Sequence, residues 1–267
     1  IDNKDYYTFL KNLKYKFNSK SHEVAGLIKI KNRKLEFFID LGNPPPDNFT
    51  RNYQAGCLAF ELISNKQKVI CNLGYAKYFS PKLSSISKST AAHSTLYLND
   101  TSSCKFLKNN LINKVYGNCL TEKHKIIDKT YKEDKDFFFL SASHNGYEKS
   151  LGYIHTRSIK IAKNKDLIFG IDTLKKTKRN INSVIYSVRF HIYPNTKITK
   201  TKGGKSILIS LSNGDGWLLQ SATNEFEIEK NIFFGDKRKV INNESIFISK
   251  NISQVETSIQ WIIEKIN

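Results

Sequence analysis

Two short segments concentrate the side chains best suited to gripping an anion. His155 and Arg157 stand two apart in HTRSI (155–159), and Arg189 and His191 stand two apart in RFHIYP (189–194). Period-two alternation in an extended chain puts the members of each pair on one sheet face. If both strands present the same face, four cationic or hydrogen-bond-donating groups converge into a clamp for a carboxylate or sulfate. The alternative is architectural, with Arg157 and Arg189 pairing with acids such as Asp172 or Glu148. His144 and Tyr147 lie in SASHNGY (141–147), which reads as a loop. A loop position raises the prospect of a contact with a ligand or with another domain for His144, the alternative being simple turn structure. Tyr147 offers a flat ring for ligand stacking, or an anchor packing the loop down. His93, in TAAHSTLYL, stands at a strand entrance, either as a ligand or as a residue satisfying backbone groups at a sheet edge.

Other chemistry is scarce. Cys57, Cys71, Cys104 and Cys119 are separated by 14, 33 and 15 positions with no CxxC pair, so no zinc ribbon or redox motif is present. The apolar strand contexts of Cys57 and Cys71 read as buried thiols rather than a disulfide framework. DTSS (100–103) and NGDG (213–216) lack the regular ligand ladder of a calcium loop. No Ser/His/Asp or Cys/His arrangement has local support. Trp217 and Trp261 alternate with apolar neighbours, the pattern of core residues.

The elements that must position these groups are strands. Short alternating apolar runs recur at 24–30, 34–40, 57–63, 68–72, 94–98, 136–141, 153–161, 167–173, 184–192, 206–211, 216–221, 228–234, 237–249 and 257–263. Gly42–Asp47 (GNPPPD), Gly203-Gly204 and NGDG supply the turns. Only residues 4–15 read as a helix. About fourteen strands without crossover helices predict an all-β fold, a large antiparallel β-sandwich with room for a smaller terminal sheet.

Of 267 residues, 39% are hydrophobic and 12% aromatic, enough for a sizeable core, which excludes intrinsic disorder. No apolar stretch approaches the roughly 20 residues of a membrane-spanning helix. The net charge of +19 comes from 37 Lys and only 6 Arg against 24 acids, and the lysines are scattered. Diffuse lysine charge lacks the clustered, Arg-rich footprint of a nucleic-acid surface, so no nucleic-acid partner is expected. No export signal is visible in the first residues. With no methionine anywhere, the chain reads as a processed or excised part of a larger protein.

Together, TAAHSTLYLNDTSS (90–103), SASHNGY, HTRSI, RFHIYP and FFGDKRKVINNESIFIS (233–249), with QAGCLAFEL (54–62) and CNLG (71–74) upstream, resemble the C-terminal module of heparinase II/III-like polysaccharide lyases. The likeness runs over residues 20–265. It implies a sandwich at 21–267, with 1–20 a leftover linker from a preceding helical toroid that supplies a tyrosine and a companion His or Asn for proton transfer. The implied reaction is β-elimination on a uronic-acid polysaccharide of heparin or heparan type, in the bacterial cell envelope or periplasm. Such a reaction needs a base for the C5 proton, an acid for the leaving oxygen and donors to the carboxylate. His144, Tyr147, His155, Arg157, Arg189 and His191 are then the candidate substrate contacts.

The resemblance also implies a metal site of His, Asp and His, which aligns with Gln54, Asn72 and His93. Two neutral amides in these places are poor zinc ligands, so a hydrogen-bonded core without an ion is expected, and no cofactor. Asn52 stands where the lyases carry a histidine and has no basic function. The isolated chain is expected to be inactive. The rival class is a non-catalytic glycan-binding or domain-docking sandwich.

Overall fold

The alternating runs form strands in the computed structural model, which describes residues 3–14, 22–107, 112, 119–178, 183–236, 239–252 and 254–266. A nine-stranded sheet runs in the order β1 (Glu23–Val24), β2 (Leu27–Asn32), β3 (Leu35–Asp40), β4 (Phe60–Ser64), β5 (Gln67–Cys71), β13 (Ile185–Ile192), β18 (Lys239–Asn251), β17 (Glu227–Asp236), with β6 (Leu96–Leu98) pairing β13 off that path. An eight-stranded sheet runs β14 (Lys197–Thr201), β15 (Ser206–Ser210), β16 (Gly216–Gln220), β19 (Glu256–Lys265), β12 (Leu167–Lys176), β11 (Tyr153–Ala162), β10 (Phe137–Tyr147), β9 (Ile126–Glu133). The pairings are antiparallel, and the two sheets make the expected sandwich. The extra small sheet is a mid-chain ribbon of β7 (Lys105–Phe106) and β8 (Leu120–Glu122), not a terminal unit. Helices α1 (Asn3–Asn12), α2 (Pro81–Lys88) and α3 (Glu148–Leu151) are peripheral to the sheets.

Each strand sends alternate side chains into the space between the sheets. From β3 come Leu35, Phe37 and Ile39; from β13, Tyr186, Val188, Phe190 and Ile192; from β19, Ile259, Trp261 and Ile263. Full burial of a large apolar side chain contributes about 1.5–3 kcal/mol, so these layers dominate the favourable side of folding. Trp261 bridges the two sheets, stacking on Phe60 of β4 with ring centres 5.4 Å apart and meeting Phe190 edge-on at 5.1 Å. Gly170, its cross-strand neighbour on β12, makes the space: a Cβ there would lie 2.1 Å from the indole.

A buried ion pair sits beside this aromatic layer. Arg157 on β11 and Asp172 on β12 are directly paired in register and lie in the core. Asp172 Oδ1 accepts from Arg157 Nε (2.8 Å) and His155 Nε2 (2.7 Å), while Oδ2 accepts from Arg157 Nη2 (2.9 Å) and Trp261 Nε1 (2.9 Å). Arg157 Nη1 reaches across to the carbonyls of Leu58 (2.9 Å) and Ser94 (2.8 Å). Burial pushes the Asp172 carboxyl up, but the charges and donors of Arg157 and His155 outweigh it and hold the group well below the usual carboxylate range.

Four further elements depart from the sequence reading. β9 and β14 carry the polar runs IIDKTYKE and KITKT and are the two edges of the eight-stranded sheet, where lysines blunt unpaired backbone and the apolar alternation fades. SASHNGY is not a loop but the end of β10, with a register shift between His144 and Tyr147. α2 escapes notice because its short run PKLSSISK lacks an apolar stripe; it is started by Pro81 in the first turn and by Ser80 Oγ accepting from Leu83 N–H at 3.3 Å.

Replacing Arg157 by Leu leaves Asp172 buried without its counter-ion. Urea unfolding of Arg157→Leu is expected to show a loss of about 3–5 kcal/mol; a loss below about 1 kcal/mol, the size of an exposed pair, would refute the role assigned to this network.

Candidate functional site

The outward-facing side chains of the nine-stranded sheet build a cleft of about 520 Å³. Its floor is Leu27 of β2, Phe38 and Asp40 of β3 and Glu61 of β4. Its walls are Asn52, Tyr53 and Gln54, at and after the end of a 3₁₀ turn over Asp47–Asn52, with Asn72 after β5 and His93 before β6. Four positions far apart in the sequence, Asn52, Gln54, Asn72 and His93, thus converge on one surface.

His93 is buried, and its Nδ1–H donates to the Ser89 carbonyl at 2.8 Å. Because a carbonyl only accepts, this bond places the proton on Nδ1 and leaves the Nε2 lone pair as an acceptor. Gly56 lets the ring in: a Cβ there would lie 2.7 Å from His93 Cδ2. Burial pulls the imidazole down to about 4, so it is neutral at physiological pH. Asn72 is a brace. Its Nδ2 donates to Glu61 Oε1 (3.3 Å), its Oδ1 accepts from Ser94 N–H (2.9 Å), and Glu61 is held on its other side by Lys68 at 3.1 Å. Asn52 Oδ1 accepts from Tyr75 Oη at 3.4 Å. The 3₁₀ turn leading to it is steadied by Lys88, whose Nζ donates to the Arg51 carbonyl at 2.5 Å between the rings of Tyr75 and Phe106, and whose amine burial lowers to about 8.

Sequence reasoning missed Asp40, Tyr53 and Glu61. Asp40 Oδ1 accepts from Gly42 N–H at 2.9 Å, and burial raises its carboxyl to about 6 despite that bond. The Tyr53 hydroxyl is buried without a hydrogen-bond partner among the described residues, and burial raises it beyond the ordinary phenol range. The signal available was the outward phase of Phe38 and Asp40 on an otherwise apolar strand. Among the described residues the lining holds two carboxyl groups and no lysine or arginine, a local reversal of the chain's strongly basic balance.

The other candidate contacts lie elsewhere. Arg189 and His191 point away from the interior on β13, whereas His155 and Arg157 point inward from β11, so the four do not form a clamp. Arg189 is tied to Glu229 and to Tyr97 Oη (3.0 Å). His191 donates from Nε2 to the Ala91 carbonyl (3.0 Å) and accepts at Nδ1 from Ser245 Oγ (2.7 Å). His144 is buried, donating from Nε2 to His155 Nδ1 (3.1 Å) and accepting Gly146 N–H at Nδ1 (3.1 Å). Tyr147 is fully buried, its hydroxyl donating to the Leu96 carbonyl at 3.0 Å. The loop reading of these two is therefore corrected, because strand β10 carries them into the core. A further buried pair, Cys104 and His124, sits 3.1 Å apart with the thiol raised to about 11 by burial, which keeps it a thiol.

Residues 16–262 match the family described as Heparinase II/III-like, C-terminal. The chain belongs to that family. This heparinase II/III-like chain is 25% identical over 252 residues to FtsZ-localized protein C of Caulobacter vibrioides (strain NA1000 / CB15N), covering 90% of the chain and 42% of that protein. Its fold is that seen in heparan sulfate lyase HepC from Pedobacter heparinus (TM-score 0.75, 14% identity, 98% of this chain and 41% of that one). A heparinase III gives a TM-score of 0.73 at 14% identity, over 98% of this chain and 41% of its own. The chain thus spans less than half the length of each of these relatives.

The metal that the resemblance implies does not fit the residues present. Gln54 and Asn72 bring neutral amide oxygens, Asn72 has its amide engaged on both sides, and His93 alone is a strong zinc ligand. Among the described residues, no group of three His, Cys, Asp or Glu side chains is placed to hold an ion.

Purified chain is accordingly expected to carry clearly substoichiometric zinc, with a melting temperature that a chelator leaves unchanged. The double variant Gln54→His with Asn72→Asp should lose stability, since a second carboxylate then faces Glu61 where the amide donor of Asn72 had been. Added zinc should restore it by about 2.7 kcal/mol at a hundredfold excess over Kd. Stoichiometric zinc in the unaltered protein, lost on Gln54→Ala, would overturn this.

A pH dependence follows from the buried rings. His93 and His124 are depressed to about 4, His191 to about 3, and His144 and His155 are also lowered, in each case chiefly by burial. Unfolding lets them take up protons, so the stability present above about pH 6.5 is lost as pH falls through the folded-state values. Asp40 opposes this with one proton, since its raised carboxyl stabilises at low pH and loses that contribution as pH rises through 6. His93, His124, His191 and His144 against the single carboxyl of Asp40 predict net proton uptake on unfolding near pH 5, each net proton steepening the loss by about 1.4 kcal/mol per pH unit. Flat stability from pH 7 to 5 in denaturant titrations would contradict the neutral, buried assignment.

Proposed function

We propose that this chain is the sandwich portion of an envelope-located polysaccharide lyase, contributing a glycan-binding wall while proton transfer is performed by groups outside it. The observation that carries this reading is the convergence of Asn52, Gln54, Asn72 and His93, the positions that the family resemblance picks out, on one open cleft. The amides of Asn52 and Gln54 and the Nε2 acceptor of His93 suit sugar hydroxyls and ring oxygens. Among the described residues His93 is too weak a base to abstract the uronate C5 proton, and although the Asp40 carboxyl is raised to about 6, no cation lines the cleft to neutralise the uronate carboxylate and acidify that proton. A preceding helical domain supplying Tyr and His or Asn would complete the site.

A second reading, a non-catalytic glycan-binding or docking sandwich, is favoured by the amides at Gln54 and Asn72. It is also favoured by the identity to FtsZ-localized protein C, 25%, against 14% to the lyases.

The 267-residue chain is expected to release no unsaturated uronate from heparan sulfate, read as ultraviolet absorbance, yet to bind heparan oligosaccharides, with Gln54→Ala weakening binding several-fold. The complete parent protein is expected to turn the polymer over. Turnover by the chain alone would show that the catalytic groups are within it; an inactive parent protein would leave the docking sandwich as the function.

A further inference from the structure

Towards the β17 edge of the nine-stranded sheet, away from the β2–β4 floor of the cleft, the turn between β13 and β14 and the paired strands β17 and β18 enclose a second crevice of about 340 Å³. That size lies at the lower end of the roughly 300–1,000 Å³ typical of small-molecule sites. Its wall is rich in amides: Asn195 in the turn, Asn231 on β17, and Asn242 and Asn243 on β18, with Tyr193 beside them.

Asn243 is buried, at 7% exposure, and directly opposite Asn231 in register. Its Nδ2 donates to the Ile192 carbonyl at 3.0 Å. This bond fixes the orientation of the amide, because the reversed group would set oxygen against oxygen. Asn243 Oδ1 is then a buried acceptor with no partner among the described residues. Such a group is costly unless a donor reaches it. Asn231 behind it is rigid: Nδ2 donates to Ser245 Oγ (3.0 Å), Oδ1 accepts from Ile232 N–H (2.8 Å), and Ser245 is in turn bonded to His191. Asn195 and Asn242 are exposed and keep both a donor and an acceptor for a ligand. The Tyr193 ring, 36% exposed, is held edge-on by Phe233 at 5.4 Å.

The ligand this set would take is defined by its chemistry. Amides both donate and accept, as sugar hydroxyls do, and a partly open tyrosine ring suits the C–H face of a pyranose. The charged lining residues, Lys230 and Glu244, are of opposite sign and do not select an anion. We propose that this crevice is a second carbohydrate subsite, binding a neutral sugar residue through a hydroxyl donated to Asn243 Oδ1, the exposed amides of Asn195 and Asn242, and stacking on Tyr193. It shares no residue with the cleft of Asn52, Gln54, Asn72 and His93, so it stands or falls independently of the lyase reading.

The test is titration of the full chain, followed by amide NMR and calorimetry, with maltotriose, cellotriose, xylotriose and N,N′-diacetylchitobiose up to about 10 mM, a range that covers millimolar dissociation constants. At least one of these is expected to shift the side-chain amides of Asn195, Asn242 and Asn243. Tyr193→Ala is expected to weaken its binding about tenfold, the order of effect for loss of an aromatic contact. Asn195→Gly, which removes the amide but tolerates the positive φ of 63° found there, should weaken it as well and serves if Tyr193→Ala unfolds. Gln54→Ala should leave it unchanged. Absence of any shift with all four sugars, or binding unaffected by Tyr193→Ala and Asn195→Gly, would overturn the proposal.

Discussion

A single carboxylate in the core, that of Asp172, organises much of this sandwich. An ionised group between two sheets is tolerable only when its charge and its lone pairs are met, and here Arg157, His155 and Trp261 supply four donors. Arg157 directs its remaining nitrogen to two carbonyls from the opposite layer, Leu58 and Ser94. Leu58 has a positive φ of 59°, a conformation that a branched side chain rarely adopts, and the bond from the guanidinium helps to hold it there. The strands of the eight-stranded sheet are thus tied by one residue to the two segments of the other layer that frame the cleft.

That tie reaches the candidate site directly. Leu58 follows closely on Gly56, against which the His93 ring packs, and Ser94 follows His93 and donates its N–H to Asn72. The buried pair therefore sets the cleft walls from behind without touching anything in the cleft. The same dense burial keeps five of the six histidines uncharged, each directed by a specific bond. Imidazoles of this kind serve as fixed donors and acceptors, and their contribution to the molecule is geometric.

The chain belongs to the heparinase II/III-like C-terminal family, and its cleft is lined by amides and carboxyl groups. Amides stand at Asn52, Gln54 and Asn72 beside the carboxyl groups of Asp40 and Glu61, and among the described residues no lysine or arginine lines the cleft. A surface of this composition is suited to hydrogen bonding rather than to pairing with an anion.

The strand pattern was legible in the sequence because alternation and turn chemistry are local: each of the expected runs contains a strand, and the shared face of His155 and Arg157 follows from spacing alone. The edges β9 and β14 were not, since lysine-rich strands owe their form to the neighbour they pair with. Periodicity shows which residues share a face, but only the packed sheets decide whether that face meets water. This is why His144, Tyr147, His155 and Arg157 proved to be core while Asp40 and Glu61 reached the cleft. The family motifs located Asn52, Gln54, Asn72 and His93; their meeting on one surface was decided by tertiary structure, since the register of β3, β4 and β5 and the reach of Arg157 across the core bring distant segments together.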